Sequence, residues 1–381
     1  MKLHQRSNDP IRAHTRCPMR AERDRRTANR LGAIGALAVA HLLGACAYAG
    51  GFLQAQSPRT LFERGYFAEM AIDGRAPMRV ADGLRVDTDL RYRRGTPARD
   101  DRAHLLDVYA PAAGAGPWPL VVYAHGGGLN AGAKDDETQV NRNFAIALAG
   151  RGFVVMSINH RLVDEAPHPA QAQDMAAAVR WGIDNAARWN ADASRIVLAG
   201  FSSGGYLAAL LAGDTAYLRA EQVDPARIGA VLAVSGFFDL GHLAEAFLVR
   251  RFIVEPAFGP RGPGWIAASP VNHAGAHWPA TLLVTAAQDR SAIPESDELC
   301  ARLGRHGIRC DRLTVPSSRH ATAIARLGDS RAQPEFETLA AFLAEATGAS
   351  GASTASPFVS DPDNYSSRWR RPARDGTTIV R

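Results

Sequence analysis

The chain has 381 residues, enough for one large domain with end segments. Its 46% hydrophobic and 22% charged residues fit a globular protein and exclude a disordered or fibrous one. The net charge of +6 sits at one end: residues 1–30 hold nine Lys/Arg against three acids, and from residue 31 onward 35 basic residues face 35 acidic ones, so the body gives no reason to expect a nucleic-acid partner.

That basic stretch runs into LGAIGALAVAHLLGACAYAG, residues 31–50. A charged start, a short apolar run and a small-residue exit form the pattern of an export signal. The run Leu31–Ala45 is short for a membrane span, which needs about 20 apolar residues. Leu43-Gly44-Ala45-Cys46 resembles a bacterial lipobox. The resemblance implies that Cys46 is lipidated, becomes the mature N-terminus and tethers an exported protein to a membrane. Secretion after a cut behind Ala47-Tyr48-Ala49 and an uncleaved anchor helix are the alternatives. Met19 is an alternative start, and Arg25-Arg26 fits a twin-arginine signal poorly.

Residues 46–85 show no firm pattern. From Leu105 the pattern is regular. Leu105–Tyr109 reads as a strand ending at Pro111, and 112–117 as a Gly/Pro-rich turn. Pro119–Ala124 and Phe153–Ile158 are short apolar runs of the kind buried in a parallel sheet. Ala170–Ala187 is amphipathic, with Met175, Val179 and Ile183 on one helical face. Strands follow at Arg195–Ala199, Ala230–Val234, Thr281–Thr285 and Leu313–Val315. Helices are expected at Ser203–Leu211, Glu295–Gly304 and Pro334–Ala346. Strands alternating with helices define an α/β fold with a mostly parallel sheet. The expected organisation is an export signal 1–45, an N-terminal segment 46–85, an α/β domain 86–346 and a disordered tail 347–381.

Two motifs carry chemistry. Gly200-Phe201-Ser202-Ser203-Gly204 matches G-x-S-x-G directly after the strand RIVLA and before a helix pattern. A turn that sharp needs small flanking residues, and it lifts the serine hydroxyl above the sheet. His125-Gly126-Gly127-Gly128 follows the strand PLVVYA. Glycines there let backbone N–H groups approach a developing alkoxide. A serine needs a base. His320, in PSSRH after the last strand, is the candidate; His306, His273 and His277 stand in less suitable places. Asp289, just after the strand TLLVT, is the candidate acid, with Asp297 and Glu295 as alternatives inside a helix pattern.

From Leu105 to Ala346 the chain resembles the HGGG-bearing esterase/lipase branch of the α/β-hydrolase superfamily. The matching segments are LLDVYAP, VVYAHGGG, INHRL, HPAQAQDMAAAVRW, RIVLAGFSSGGYLAALLA, SGFFDL and ASPVNH. SRHATAIARLGD resembles the histidine segment of feruloyl-esterase-like and kynurenine-formamidase-like enzymes. The resemblance implies an α/β-hydrolase fold and a carboxylesterase acting on a small-molecule ester. It implies a triad of Ser202, Asp289 and His320, and an oxyanion hole from the backbone of Gly126, Gly127 and Ser203. Two departures stand out. Leu129-Asn130 replaces the aromatic residue common after HGGG, and Asn159-His160-Arg161-Leu162 replaces N-Y-R-L. Asp174 reads as a structural acid at its helix. An amide hydrolase on the same triad and an inactive binding protein on the same fold are the rival readings.

Of the four cysteines, Cys300 and Cys310 lie in the body. An exported protein permits a disulfide between them, and two separate buried thiols are the alternative. No metal-ligand spacing or dinucleotide fingerprint occurs, so no cofactor is expected.

Overall fold

Continuous apolar runs build the centre of the sheet. The structure is a computed structural model and describes residues 83–94, 101–329 and 334–349. The expected export signal, Cys46 and residues 350–381 lie outside the described residues. The strands are β1 (Leu84–Arg91), β2 (Leu105–Pro111), β3 (Trp118–Ala124), β4 (Val154–Ile158), β5 (Ala191–Phe201), β6 (Ile228–Val234), β7 (Ala280–Ala286) and β8 (Cys310–Val315). They form one sheet in the order β1-β2-β4-β3-β5-β6-β7-β8. β1 and β2 run antiparallel to their neighbours, and the other pairs are parallel.

The main helices are α1 (Val140–Ala149), α2 (Ala170–Asn185), α3 (Ser203–Gly213), α4 (Ala292–Arg305), α5 (His320–Leu327) and α6 (Pro334–Ala346). Strand alternation sends Val121, Tyr123 and Val197 into a core with Phe144 of α1, Ile324 of α5 and Leu343 of α6. Leu120, Val122 and Leu198 enter the opposite core with Met175 and Val179 of α2 and Leu207 of α3. α3 is buried along its whole length, as a helix apolar on every side must be. Helices on both faces of a mostly parallel sheet make this an α/β-hydrolase fold. The β3–β5 register ends with Ala124 beside Gly200, which brings the two glycine motifs to neighbouring strand ends.

Four features differ from the sequence expectation. β1 begins at Leu84, two residues before the expected domain start. Its residues LRVDTDLR mix polar and apolar at an edge, where one face needs no core, so no apolar run marks it. α1 begins behind Gln139 with no side-chain cap, so the usual start signal is missing. The connection 235–279 folds into a run of short helical turns from Leu240 to His273. Residues 347–349 finish α6: the Thr347 hydroxyl donates to Leu343 O at 2.7 Å, and Ala349 N–H donates to Ala344 O at 2.8 Å.

Candidate active site

The turn between β5 and α3 is forced by its packing. Ser202 has φ 52° and ψ −116°, a conformation that side chains seldom adopt and that costs on the order of 1–3 kcal/mol unless its surroundings hold it. Its N–H donates to Val234 O at 2.7 Å on β6. A Cβ on Gly204 would lie 2.0 Å from Ala124 O and 2.7 Å from His125 O, so only glycine lets α3 approach the end of β3. Gly127 has φ +121°, and its carbonyl accepts from Asn130 N–H and Ala131 N–H, both at 3.0 Å. The HGGG turn and the serine turn are therefore packed backbone to backbone. Ser203 is the first residue of α3, so its N–H has no partner a turn earlier within the helix.

The structure brings Ser202, His320 and Asp289 into one hydrogen-bonded row. His320 Nε2 lies 2.9 Å from Ser202 Oγ, and His320 Nδ1 lies 2.5 Å from Asp289 Oδ2. Asp289 Oδ1 accepts from the Ser291 hydroxyl at 2.8 Å and Ala292 N–H at 3.3 Å. Burial pushes the Asp289 carboxyl up, but the His320 charge and hydrogen bond, with Ser291 and Ala292, outweigh it and bring its pKa down to about 2. The acid turn and the base turn are tied directly, because Gln288 N–H donates to Ser318 O at 3.0 Å. Phe201 packs against the imidazole, with ring centroids 5.6 Å apart and planes at 45°. An imidazole held between a hydroxyl and a buried carboxylate can take a proton from the one while the other stabilises the resulting charge.

The other candidates sit elsewhere. Glu295 accepts from the backbone N–H of Phe238 and Asp239, and Asp297 pairs with Arg312. His273 meets Ala267 O at 2.6 Å and His277 meets Gly213 O at 2.8 Å. Asp174 is fully buried at the start of α2, with Arg161 donating from Nε at 2.9 Å and a second guanidinium nitrogen at 2.8 Å, and with His104 at 3.2 Å.

The two sequence departures have local accounts. Leu129 is buried in the core, and Asn130 donates to Gly128 O at 2.9 Å and Phe252 O at 3.4 Å. His160 stacks on His125 at 4.5 Å. Burial, then the neighbouring His160, lowers the His125 pKa to about 3, so that ring stays neutral near pH 7. Sequence reading missed Lys134, buried in the loop that follows the HGGG segment and paired with Asp107 at 2.7 Å and Asp89 at 2.9 Å. One Lys among separated acids carries no sequence signal, because the partners meet only when β1 and β2 pair. Cys300 on α4 and Cys310 on β8 are joined by a disulfide, with Cα atoms 5.2 Å apart.

Known proteins fix the family. The BD-FAE family model matches residues 106–303, just over half of the chain. The chain belongs to the BD-FAE family. The matched stretch holds both glycine motifs and Asp289 and stops before His320. Among curated relatives, the carboxylesterase NlhH of Mycobacterium tuberculosis is 42% identical over 105 residues, 28% of this chain and 32% of that protein. The esterase LipC of the same species is 26% identical over 243 residues, 58% of this chain and 57% of that protein. The chain thus spans about a third of the length of the first of these relatives. Among solved structures, esterase B from Lactobacillus rhamnosis has a TM-score of 0.61 at 20% identity, over 76% of this chain and 97% of that one. A truncated carbohydrate esterase from gut microbiota has a TM-score of 0.58 at 24% identity, over 72% of this chain and 100% of that one. These two likenesses concern the fold.

Proposed function

We propose that the protein is a carboxylesterase-type serine hydrolase that cleaves a small-molecule ester through an acyl-enzyme. The single observation that carries this reading is the bridge of His320, 2.9 Å from Ser202 Oγ and 2.5 Å from Asp289. Ser202 Oγ attacks the ester carbonyl while His320 Nε2 takes its proton. The negative oxygen so formed is held by the N–H groups of Gly126, Gly127 and Ser203. Collapse of the tetrahedral intermediate breaks the carbonyl–alkoxide bond, and His320 returns the proton to the departing alcohol. Water then repeats the sequence on the acyl-serine, releasing the acid and restoring the hydroxyl. Asp289 holds the imidazole tautomer and stabilises its charged form throughout. The names of the relatives NlhH and LipC support the ester class.

A panel of p-nitrophenyl esters against the matching anilides tests this reading. Esters are expected to turn over, anilides not, and Ser202→Ala to abolish the activity. Faster anilide turnover would make the protein an amide hydrolase, and no turnover of either would leave a binding protein.

We also propose that the protein is exported and held to a membrane by lipid on Cys46. The lipobox-like Leu43-Gly44-Ala45-Cys46 and the Cys300–Cys310 disulfide, a bond of oxidising compartments, support this. Mass spectrometry of the mature N-terminus is expected to find a lipid-modified Cys46. A free Gly50 would mean simple secretion, and an intact Met1 or Met19 would remove the export reading.

A further inference from the structure

Glu295 is a buried carboxylate that the row of Ser202, His320 and Asp289 does not use. It lies in the first turn of α4, the helix that starts at the Asp289 turn, where Ala292 N–H reaches Asp289 Oδ1. One of its oxygens, Oε2, accepts from two consecutive backbone N–H groups, those of Phe238 and of Asp239 at 3.1 Å. These residues are the root of the 235–279 connection. Asp239 Oδ1 in turn accepts from Gly241 N–H at 2.7 Å and starts the first helical turn of that connection.

The same root packs on α3 one turn after Ser202. Phe237 stacks on Tyr206 with centroids 4.7 Å apart and planes 11° apart. Tyr206 N–H donates to Ser202 O at 3.0 Å, one turn along α3. Phe258, farther along the connection, meets the same Tyr206 ring edge-on at 5.7 Å. The far side of the connection is attached to the HGGG turn through Asn130 and Phe252 O, and to the loop before α2 through His168 N–H and Ala257 O at 3.0 Å. The connection thus runs from the acid helix, past the buried Tyr206 ring on the first turn of α3, to the HGGG turn.

We propose that Glu295 is a positioning residue for substrate binding, tying the root of the 235–279 connection to the acid helix so that the connection keeps its seat on Tyr206 of α3 and on Asn130 beside the HGGG turn. The inference rests on the reading of Ser202 as nucleophile and deepens it. Burial pushes the Glu295 carboxyl up to about 7 against the pull of the two N–H groups; the nearby His242 lowers it and Asp239 raises it. A buried acid in that condition is an expensive way to fill space, which argues that the two N–H groups it holds matter.

Without Glu295 the two N–H groups lose their partner and the root loosens, while Asp289 keeps its own bonds to Ser291 and Ala292. Binding then suffers more than chemistry. The test is steady-state hydrolysis of p-nitrophenyl butyrate by the full chain, with thermal unfolding as a fold check. Glu295→Ala is expected to raise KM by about tenfold and to leave kcat within about threefold. Glu295→Gln, whose amide oxygen can accept both N–H groups, is expected to restore KM to within about twofold. Glu295→Asp keeps the carboxyl group but shortens the reach by one methylene, and raises KM several-fold. It carries the test with Gln if the Ala variant does not fold. A residue that only stabilised the fold would lower apparent kcat and leave KM alone. An unchanged KM in the Ala and Asp variants, or a Gln variant as impaired as Ala, would overturn the inference. Failure of the underlying reading looks different: the wild-type chain would turn over no ester, or Ser202→Ala would match it.

Discussion

The two halves of the site are built on different principles. On the Ser202 side, geometry is imposed by backbone: α3 and β3 approach until a Gly204 Cβ would touch Ala124 O, and Gly127 holds a left-handed turn. On the Asp289 and His320 side, geometry is imposed by side chains and by turns after β7 and β8, tied by the Gln288–Ser318 bond. In the first half Gly126, Gly127, Ser203 and Gly204 are buried and Ser202 is half-buried; in the second, Asp289 is buried and the His320 side chain is 40% exposed. The difference teaches where each half can fail. A backbone-built turn tolerates no added atom. A side-chain-built pair tolerates small shifts but no change of functional group.

Substitutions can break that comparison, beginning with the chemistry both halves share. Ser202→Ala and His320→Ala are each expected to cut kcat for an ester by roughly 10⁴-fold or more, since members of such a unit fail together. Gly204→Val tests the backbone half. Its Cβ would start 2.0 Å from Ala124 O, so the two motifs must separate. A loss of at least about 10²-fold in kcat/KM is expected, comparable with losing one oxyanion donor. A Gly204→Val protein with near-normal turnover would mean that the close approach is not needed.

Asp289→Asn tests the side-chain half, with an expected loss of on the order of 10³- to 10⁴-fold, smaller than that of Ser202→Ala. Activity surviving in Asp289→Asn but lost in Asp297→Asn would move the acid.

Milder effects sharpen the picture. Glu295 has a pKa of about 7 in the folded chain, above the ordinary 4.5. Between those values the folded state binds more protons than the unfolded one, so this group's contribution is fully present below about pH 4.5 and is lost as pH rises through about 7. The change is on the order of 3 kcal/mol at most, and melting curves of Glu295→Gln are expected to lack it. Asp289 has the opposite sign: its contribution is present above its ordinary 3.8 and is lost only as pH falls through about 2. Reducing Cys300–Cys310 is expected to lower stability by about 2–3 kcal/mol, read by denaturant unfolding. No change on reduction would mean that the bridge does not constrain the unfolded chain.

The same division explains what could be read from the amino-acid sequence. Gly200-Phe201-Ser202-Ser203-Gly204 and the HGGG segment are local, because close backbone approach demands glycine at fixed offsets. Asp289 and His320 could be placed only by their positions after expected strands, since nothing local marks an acid or a base. β3, β4 and β7 were legible as apolar runs, and α6 spans the expected residues. β1 and the turns of the 235–279 connection were not, because they rest on the edge of the sheet or on scattered tertiary bonds. Glu295 was legible only as a rival acid; its two N–H partners lie 56 and 57 residues away in the chain and meet it only in the fold.

The most direct test of the central claim is covalent capture of the proposed nucleophile. The full chain would be treated with a fluorophosphonate, digested, and the modified peptide sequenced by mass spectrometry. The account predicts a single adduct on Ser202, formed in parallel with loss of ester hydrolysis, absent in Ser202→Ala and strongly slowed in His320→Ala. Labelling of another serine, or full inhibition with Ser202 unmodified, would contradict it.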